Sequence, residues 1–255
     1  MLILGVDFET TGLDIKKDNI IEVGAVLWDT QRKVPLQIYS DLRWHETIWA
    51  NATATKERIE NVVNIVYSDL QTYGRHPSVV MQNLYTLMDI PGVALIVAHN
   101  GLSFDKPILY ANAIRWDMTA PPELPWADTM IDIPYDPSIQ TKKLSYLAAE
   151  HGFLNPFPHR AVFDVMTMLK MIQDYDMEWL LKLSKEPLVT LIAATTHPKY
   201  DGGKSNEEAK ARGFRWDPQT KYWSKKVRGN QIQAEKNAAS FEIKEYKEPI
   251  IEYRT

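Results

Sequence analysis

An apolar run that ends in two acids one residue apart constrains this chain more than any other feature. Leu2 to Val6 reads as a buried strand, and Asp7 and Glu9 come next in D-F-E-T-T-G. Side chains alternate faces along a strand, so the two carboxylates point the same way. Held together on one face, they repel unless a proton or a cation lies between them. Hard divalent cations such as Mg2+ take oxygen ligands of this kind. Thr10, Thr11 and Gly12 then break the strand into a tight turn. Alone, the pattern also describes a solvated strand end, so its weight depends on acids elsewhere in the chain.

After the turn, Ile20 to Trp28 and Val34 to Arg43 read as two further strands, returning as a meander. Residues from Ala54 to about Met88 are helical in two segments, separated near Gly74 and Pro77. Val93 to Ala98 is a continuous apolar run, the mark of a strand buried on both faces. It ends in H-N-G-L-S-F-D, and Lys106-Pro107 opens a helix over Ile108 to about Trp116. Asp105 therefore sits at a strand-to-helix junction, a common position for functional residues in open sheets. Trp126 to Ile133 reads as a fifth strand carrying Asp128, and a helix from Leu144 is ended by Gly152. Pro156 and Pro158 hold off the next helix until the stripe Ala161, Val162, Val165, Met168, Leu169 and Ile172 begins. On that helix Asp164 faces inward at the edge of the stripe, an unfavourable place for an unpartnered charge. His159 belongs to the preceding loop, leaning over whatever Asp164 holds.

Three separated segments thus end in acids: D7-x-E9, Asp105 after H-N-x-x-x-F, and Asp164 five residues after His159. The motifs V-D-F-E-T-T-G-L, A-H-N-G-L-S-F-D and H-R-A-V-F-D resemble those of the DEDD-type 3′-5′ exonucleases. Histidine five before the last aspartate resembles the His subclass (DEDDh); Arg160 stands where the Tyr subclass has its tyrosine. The resemblance covers roughly the first 180 residues and extends to the proofreading exonuclease subunit of bacterial replicative polymerases. It points to a phage or bacterial source. One departure is visible: the second motif is a residue longer than the usual H-N-x-x-F-D, so the loop is expected to bulge.

The resemblance implies an α/β fold, an RNase H-like mixed five-stranded sheet flanked by helices. It implies two Mg2+ or Mn2+ ions held by Asp7, Glu9, Asp105 and Asp164, with Asp7 bridging. Hydrolysis of a phosphodiester needs an activated water, charge stabilisation on the phosphoryl oxygens and help for the leaving 3′-oxygen, which two such ions supply together. His159 is then the general base, since an imidazole takes up a proton near neutral pH. The backbone at Thr10, Thr11 and Gly12, the side chain of Leu13, and Asn100 and Phe104 are implied to hold the terminal nucleotide. For Asp128, supporting the site and ending a strand stay open; His99 reads as structural.

The chain is expected to divide into an exonuclease domain (1–182), a linker near Lys182 to Pro187, a small α+β module (188–229) and a charged tail (230–255). Within the module, Leu188 to Thr195 reads as a strand, Asn206 to Arg212 as a short helix, and Phe214 to Trp223 as a hairpin with an Asp-Pro turn. Phe241 to Tyr246 has the composition for one more strand. Arg215, Trp216, Lys221, Trp223 and Lys225 interleave aromatics with bases, a pattern that can stack nucleobases and hold phosphates. It equally describes a minimal tryptophan core with solvated lysines, and both readings stay open. The region from Asp201 onward has 12 Lys and Arg against 9 Asp and Glu, whereas the rest is net acidic. This fits a metal-holding body that meets a polyanion.

No cysteine is present, which excludes disulfides and thiolate chemistry and fits a cytoplasmic protein, of a host cell if phage-encoded. No charged start followed by a long apolar stretch suggests a membrane association. The expected partner is nucleic acid with a free 3′ end. Single-stranded DNA is favoured on account of the module, which can also dock a replication or repair protein. The alternatives are an exoribonuclease trimming RNA or short oligonucleotides and, from another class, a non-catalytic nucleic-acid-binding protein on a nuclease scaffold.

Overall fold

The opening apolar run forms β1 (Leu2–Thr10) at the middle of a five-stranded sheet. The structure, a computed structural model, describes residues 1–136, 138–195, 204–217 and 221–246, without the side chains of Arg58 and Lys204. It divides into two compact units, Met1–Lys182 and Leu183–Thr255. Among the described residues no helix is long and apolar enough to cross a membrane.

In the first unit β2 (Ile20–Asp29) pairs antiparallel with β1, and β3 (Val34–Leu42) antiparallel with β2, the expected meander. β4 (Val93–Ala98) runs parallel to β1 and β5 (Trp126–Asp128) parallel to β4, giving the order β3-β2-β1-β4-β5. This is the mixed five-stranded sheet that the resemblance implied. Helices cover both faces, which explains why the central strands are apolar almost throughout. On one face Leu4, Val6 and Phe8 meet α3 (Pro77–Met88) and α4 (Asp105–Arg115) through Val80, Leu84, Ile108 and Leu109. On the other, Ile3, Val26, Leu95 and Val97 meet α6 (Ala161–Ile172) through Val165, Met168 and Leu169. By the strand alternation, Asp7 and Glu9 share the face that α6 covers.

Two glycines set how closely α6 approaches. A Cβ at Gly5 would lie 2.7 Å from Val165 Cγ1, and one at Gly24 would lie 2.4 Å from the backbone of Ala161 and Val162. Gly24 meets backbone, which cannot swing aside. Gly24→Ala is therefore expected to push the start of α6 off the sheet and destabilise the protein by about 1–3 kcal/mol, as overpacking does. Urea unfolding would read the loss, and an unchanged midpoint would contradict this packing.

Three local expectations change. The helical stretch before β4 is three helices, α1 (Lys56–Val63), α2 (Tyr67–Tyr73) and α3, because Asn64 takes a left-handed conformation (φ 53°) that ends α1. β5 stops at Asp128 rather than Ile133, because the Asp128 carboxylate accepts the Met130 N–H (2.9 Å) and its carbonyl accepts that of Asp132 (2.7 Å), closing a turn. The stretch expected as a linker is tied down. α7 (Met177–Ser184) runs into it, and the buried Arg228 donates to the carbonyls of Ser184 (3.2 Å) and Glu186 (3.1 Å). α5 (Leu144–Glu150) lies where the sequence places it.

The second unit is an antiparallel sheet of β6 (Leu188–Ala193), β7 (Arg215–Asp217), β8 (Tyr222–Arg228) and β9 (Ile243–Tyr246) in the order β7-β8-β6-β9. α8 (Lys204–Ala211) and α9 (Ile232–Ala238) accompany it. Leu191, Phe214, Val227, Phe241 and Ile243 form its core. The residues expected as a charged tail are folded over their described part: α9 comes after β8, and β9 pairs with β6 along its whole length. Phe241 and Ile243 supply the apolar anchors for this, against which the intervening charges count little. The Asp-Pro turn falls on 218–220, outside the described residues.

Candidate active site

Asp7 and Glu9 stand near the end of β1, partly exposed on the α6-covered face. Asp105 is brought beside them by the parallel pairing of β4 with β1 and is buried (3% exposed) as the first residue of α4. The longer motif is taken up in a turn. The Asn100 carbonyl accepts the N–H groups of Ser103 and Phe104 (both 3.1 Å), forming a turn that leads into α4. Asn100 itself adopts φ 66°, which an asparagine tolerates. Asp128, fully buried, holds this loop by accepting the N–H groups of Asn100 (2.9 Å) and Leu102 (3.1 Å). It therefore both holds the loop that leads to Asp105 and ends β5. His99 bonds through Nδ1 to Thr129 (2.7 Å) and through Nε2 to the Lys142 carbonyl (2.8 Å), so both ring nitrogens are spent on structure. Burial lowers its pKa to about 4 and keeps it neutral.

Asp164 lies in the first turn of α6, and the loop before the helix closes over it. Its carboxylate accepts the backbone N–H of His159 (2.9 Å) and the side-chain amide of Asn155 (2.7 Å). His159 is exposed, in a left-handed conformation (φ 62°) that turns the chain around the aspartate. Ligand atoms of Glu9, His159 and Asp164 lie within 4.8 Å of one another. Asn155 also accepts the N–H of Phe157 (3.0 Å), so one amide ties the loop to the acid. Nothing in the sequence singles out Asn155. Asn155→Ala is expected to lower activity about 10–100-fold, the usual cost of losing a group that orients a ligand. Steady-state rates with the fold checked by circular dichroism would test it.

A fifth acid joins the group. Glu22, fully buried on β2, stands directly across from Glu9 and accepts from Arg160 Nη2 (2.9 Å) and the Ala161 N–H (3.0 Å). Its signal in the sequence is a glutamate inside the otherwise apolar run I-I-E-V-G-A-V-L-W, which a strand assignment alone leaves unexplained.

The electrostatics follow from this crowding. Burial first, and then the negative charges of Asp105, Glu9, Asp164 and Glu22, push the Asp7 carboxyl well above the ordinary carboxylate range. Burial and then the charge of Asp164 raise Glu9 to about 8. Asp105 rises to about 8 through burial and then the charge of Asp128. Asp164 rises to about 6 through burial, moderated by the His159 N–H. Asp105 Oδ1 is buried with no hydrogen-bond partner. Four acids that resist ionising and an orphaned carboxylate oxygen are what a divalent cation would satisfy.

The family model described as Exonuclease (RNase_T) matches residues 4–172, the whole segment that carries these groups. The chain belongs to this exonuclease family. The DEDD-type assignment expected from the motifs agrees with that match. The PolC-type DNA polymerase III of Ureaplasma parvum is 25% identical over 165 residues, 64% of this chain and 10% of that one. Among solved structures, Escherichia coli exonuclease I in complex with a dA16 oligonucleotide superimposes with a TM-score of 0.56 at 15% identity. That match covers 77% of this chain and 49% of the other. The nuclease domain of 3′hExo, a DEDDh family member bound to rAMP, gives 0.57 at 14%, covering 71% and 94%. The chain thus spans about half of exonuclease I and a tenth of the polymerase. Exonucleases of this family depend on divalent metal, and the acidic groups with His159 form a site suited to one.

The residues implied to hold a nucleotide are not equally available in this chain. Thr11 is fully buried: its N–H donates to Asn19 (2.9 Å), its carbonyl accepts from Ala54 (3.2 Å) and its hydroxyl binds Asp18 (2.9 Å). Its backbone is spent on the turn. Thr10 is buried as well, its hydroxyl bonded to the Gly12 carbonyl (2.6 Å). Gly12 and Leu13 remain at the surface, Leu13 being 78% exposed. Asn100 is exposed and Phe104 is packed halfway into the core.

In the second unit the five candidate contact residues do not share a face. Directly opposed residues of an antiparallel pair lie on one side of the sheet. Trp216, Trp223 and Lys225 thereby fall on the core side with Leu191 and Val227, and Arg215 falls on the other. Lys225 is paired with Glu235 and Trp223 packs against the core. Arg215, Trp216 and Lys221 are exposed, and the Trp216 and Trp223 rings meet edge to face at 6.1 Å.

Proposed function

We propose that this protein is a two-metal-ion-dependent 3′-5′ exonuclease that releases nucleoside 5′-monophosphates, acting foremost on single-stranded DNA. One observation carries the reading. Carboxylates from β1, the start of α4 and the start of α6 converge with His159 at one end of the sheet. Asp7, Glu9, Asp105 and Asp164 would hold Mg2+ or Mn2+. When bound, such ions supply positive charge against that developing on the phosphoryl oxygens and the leaving 3′-oxygen.

The chain's own residues do the rest. A ring nitrogen of His159 takes a proton from water as its oxygen bonds to phosphorus and the bond to the 3′-oxygen breaks. A solvent proton completes the 3′-hydroxyl. Asn155 holds Asp164, and the loop backbone holds His159 over it. Leu13 stands exposed in the turn after the β1 acids, where it can wedge against the terminal base; Asn100 and Phe104 would line the same pocket. Trp216 and Arg215 of the second unit are exposed and can meet nucleic acid or a replication or repair partner.

An exoribonuclease is the second reading, favoured by the likeness to 3′hExo, whose structure was determined with rAMP. Matched DNA and RNA strands labelled at either end, with Mg2+, Mn2+ or chelator, separate the two. Metal-dependent loss of the 3′ label as mononucleotide supports the proposal, and the ratio of rates assigns the polymer. Binding without cleavage would overturn it in favour of a non-catalytic scaffold.

A further inference from the structure

We infer that the Glu22–Arg160 ion pair is a positioning device that sets His159 for proton transfer. The inference rests on the exonuclease reading above. His159 occupies a left-handed backbone conformation that a side chain rarely adopts unaided, and it is exposed to solvent. Something must hold it there. Its own carbonyl side continues directly into Arg160, whose guanidinium grips Glu22 with Nε at 3.1 Å and Nη2 at 2.9 Å from Oε1. The other oxygen of Glu22 accepts the Ala161 N–H at 3.0 Å, capping the first turn of α6. On the near side, the His159 N–H is fixed to Asp164. The histidine is thus clamped between two anchors, one on each flank, and both hold to acids.

The strand register makes the clamp specific to the site. Glu22 pairs across from Glu9, so the anchor for the loop and a proposed metal ligand ride on adjacent strands at the same height. Gly24 lets the α6 backbone come within reach of β2, without which Glu22 could not span the gap. Glu22 is fully buried whereas Arg160 is 38% exposed at its side chain. A buried carboxylate of this kind is costly unless paired, so the pair forms wherever α6 is seated. Arg160 stands four before Asp164, at the place a tyrosine would hold in the other subclass; here its guanidinium turns to Glu22 instead.

Removing Arg160 alone would strand a buried charge, so the informative variant is Glu22→Gln with Arg160→Met, which keeps an acceptor for Ala161. Using the full chain and a 3′-labelled oligonucleotide, kcat is expected to fall about 10–100-fold with KM within about two-fold. The same double change made in the His159→Ala background is expected to cost nothing further, and Arg160→Lys to retain part of kcat. Full kcat in the paired variant, or losses that multiply with those of His159→Ala, would overturn the inference. The His159 imidazole resonances, followed by NMR, give a readout independent of cleavage. They are expected to shift and broaden in the paired variant, and unchanged resonances would also overturn it. If the unaltered protein cleaves nothing while the paired variant still shows that NMR response, the exonuclease reading alone is overturned.

Discussion

In chelator, the protein is expected to lose thermal stability as the pH rises from about 4 to about 8, and to regain it at pH 8 when Mg2+ or Mn2+ is added. Glu9 and Asp105 have ordinary values of 4.5 and 3.8 and are raised to about 8 in the fold. Asp164 is raised from 3.8 to about 6, and Asp7 is raised well above 3.8. Between the ordinary and the raised values the folded chain holds protons that the unfolded chain has released. Stability from such groups is complete below pH 4 and drains away as the pH passes the raised values. A cation replaces the missing protons, so its stabilisation is large at pH 8 and small at pH 5, where protons compete for the same oxygens. Each kcal/mol moves the midpoint of a domain this size by about 2–4 °C, so thermal melts across pH, with and without metal, resolve the effect. Asp7→Asn removes the most crowded charge: the metal-free midpoint at pH 8 should rise, the metal response should shrink, and cleavage should be lost. A midpoint independent of pH between 5 and 8 would contradict the convergence of these acids.

His159→Ala has the opposite signature. It is expected to lower kcat by about 10²–10⁴-fold, the range that a general base contributes, with KM for the oligonucleotide nearly unchanged. Because the acids remain, the stabilisation by Mg2+ should persist. Measuring kcat, KM and the metal-induced midpoint shift on one preparation separates the two variants. Loss of the metal response in His159→Ala would make the histidine a ligand instead of a base.

Much of the first unit was legible because its signals are local. A continuous apolar run marks a strand buried on both faces, and an inward acid at the edge of an apolar stripe marks a partner. Val93–Ala98 and Asp164 were readable on those grounds. Boundaries decided by a side chain reaching its own backbone were not. Asp128 ends β5 five residues early by capturing Met130, and Asn64 splits a helical stretch by going left-handed. In the second unit, interleaved aromatic and basic residues look alike whether they face solvent or core. Register alone sends Arg215 to one side and Trp223 and Lys225 to the other. In the charged segment after Gly229 the composition of Phe241 to Tyr246 already pointed to a strand, and β9 forms there on the buried Phe241 and Ile243, whereas α9 carried no apolar signal to mark it.

The sequence by itself determined the candidate set: two acids on one strand face, an acid at a strand-to-helix junction, and an acid with a histidine five residues before it. Alternation and helical periodicity carry that information over a few residues. Only the tertiary structure decided that these segments converge, how crowded their charges are, and what steadies the histidine. Those depend on parallel pairing of β1 with β4, on the seating of α6 against Gly5 and Gly24, and on Glu22 reaching Arg160 from 138 residues away. Contacts over such separations arise from the packing of whole elements, which no local pattern encodes.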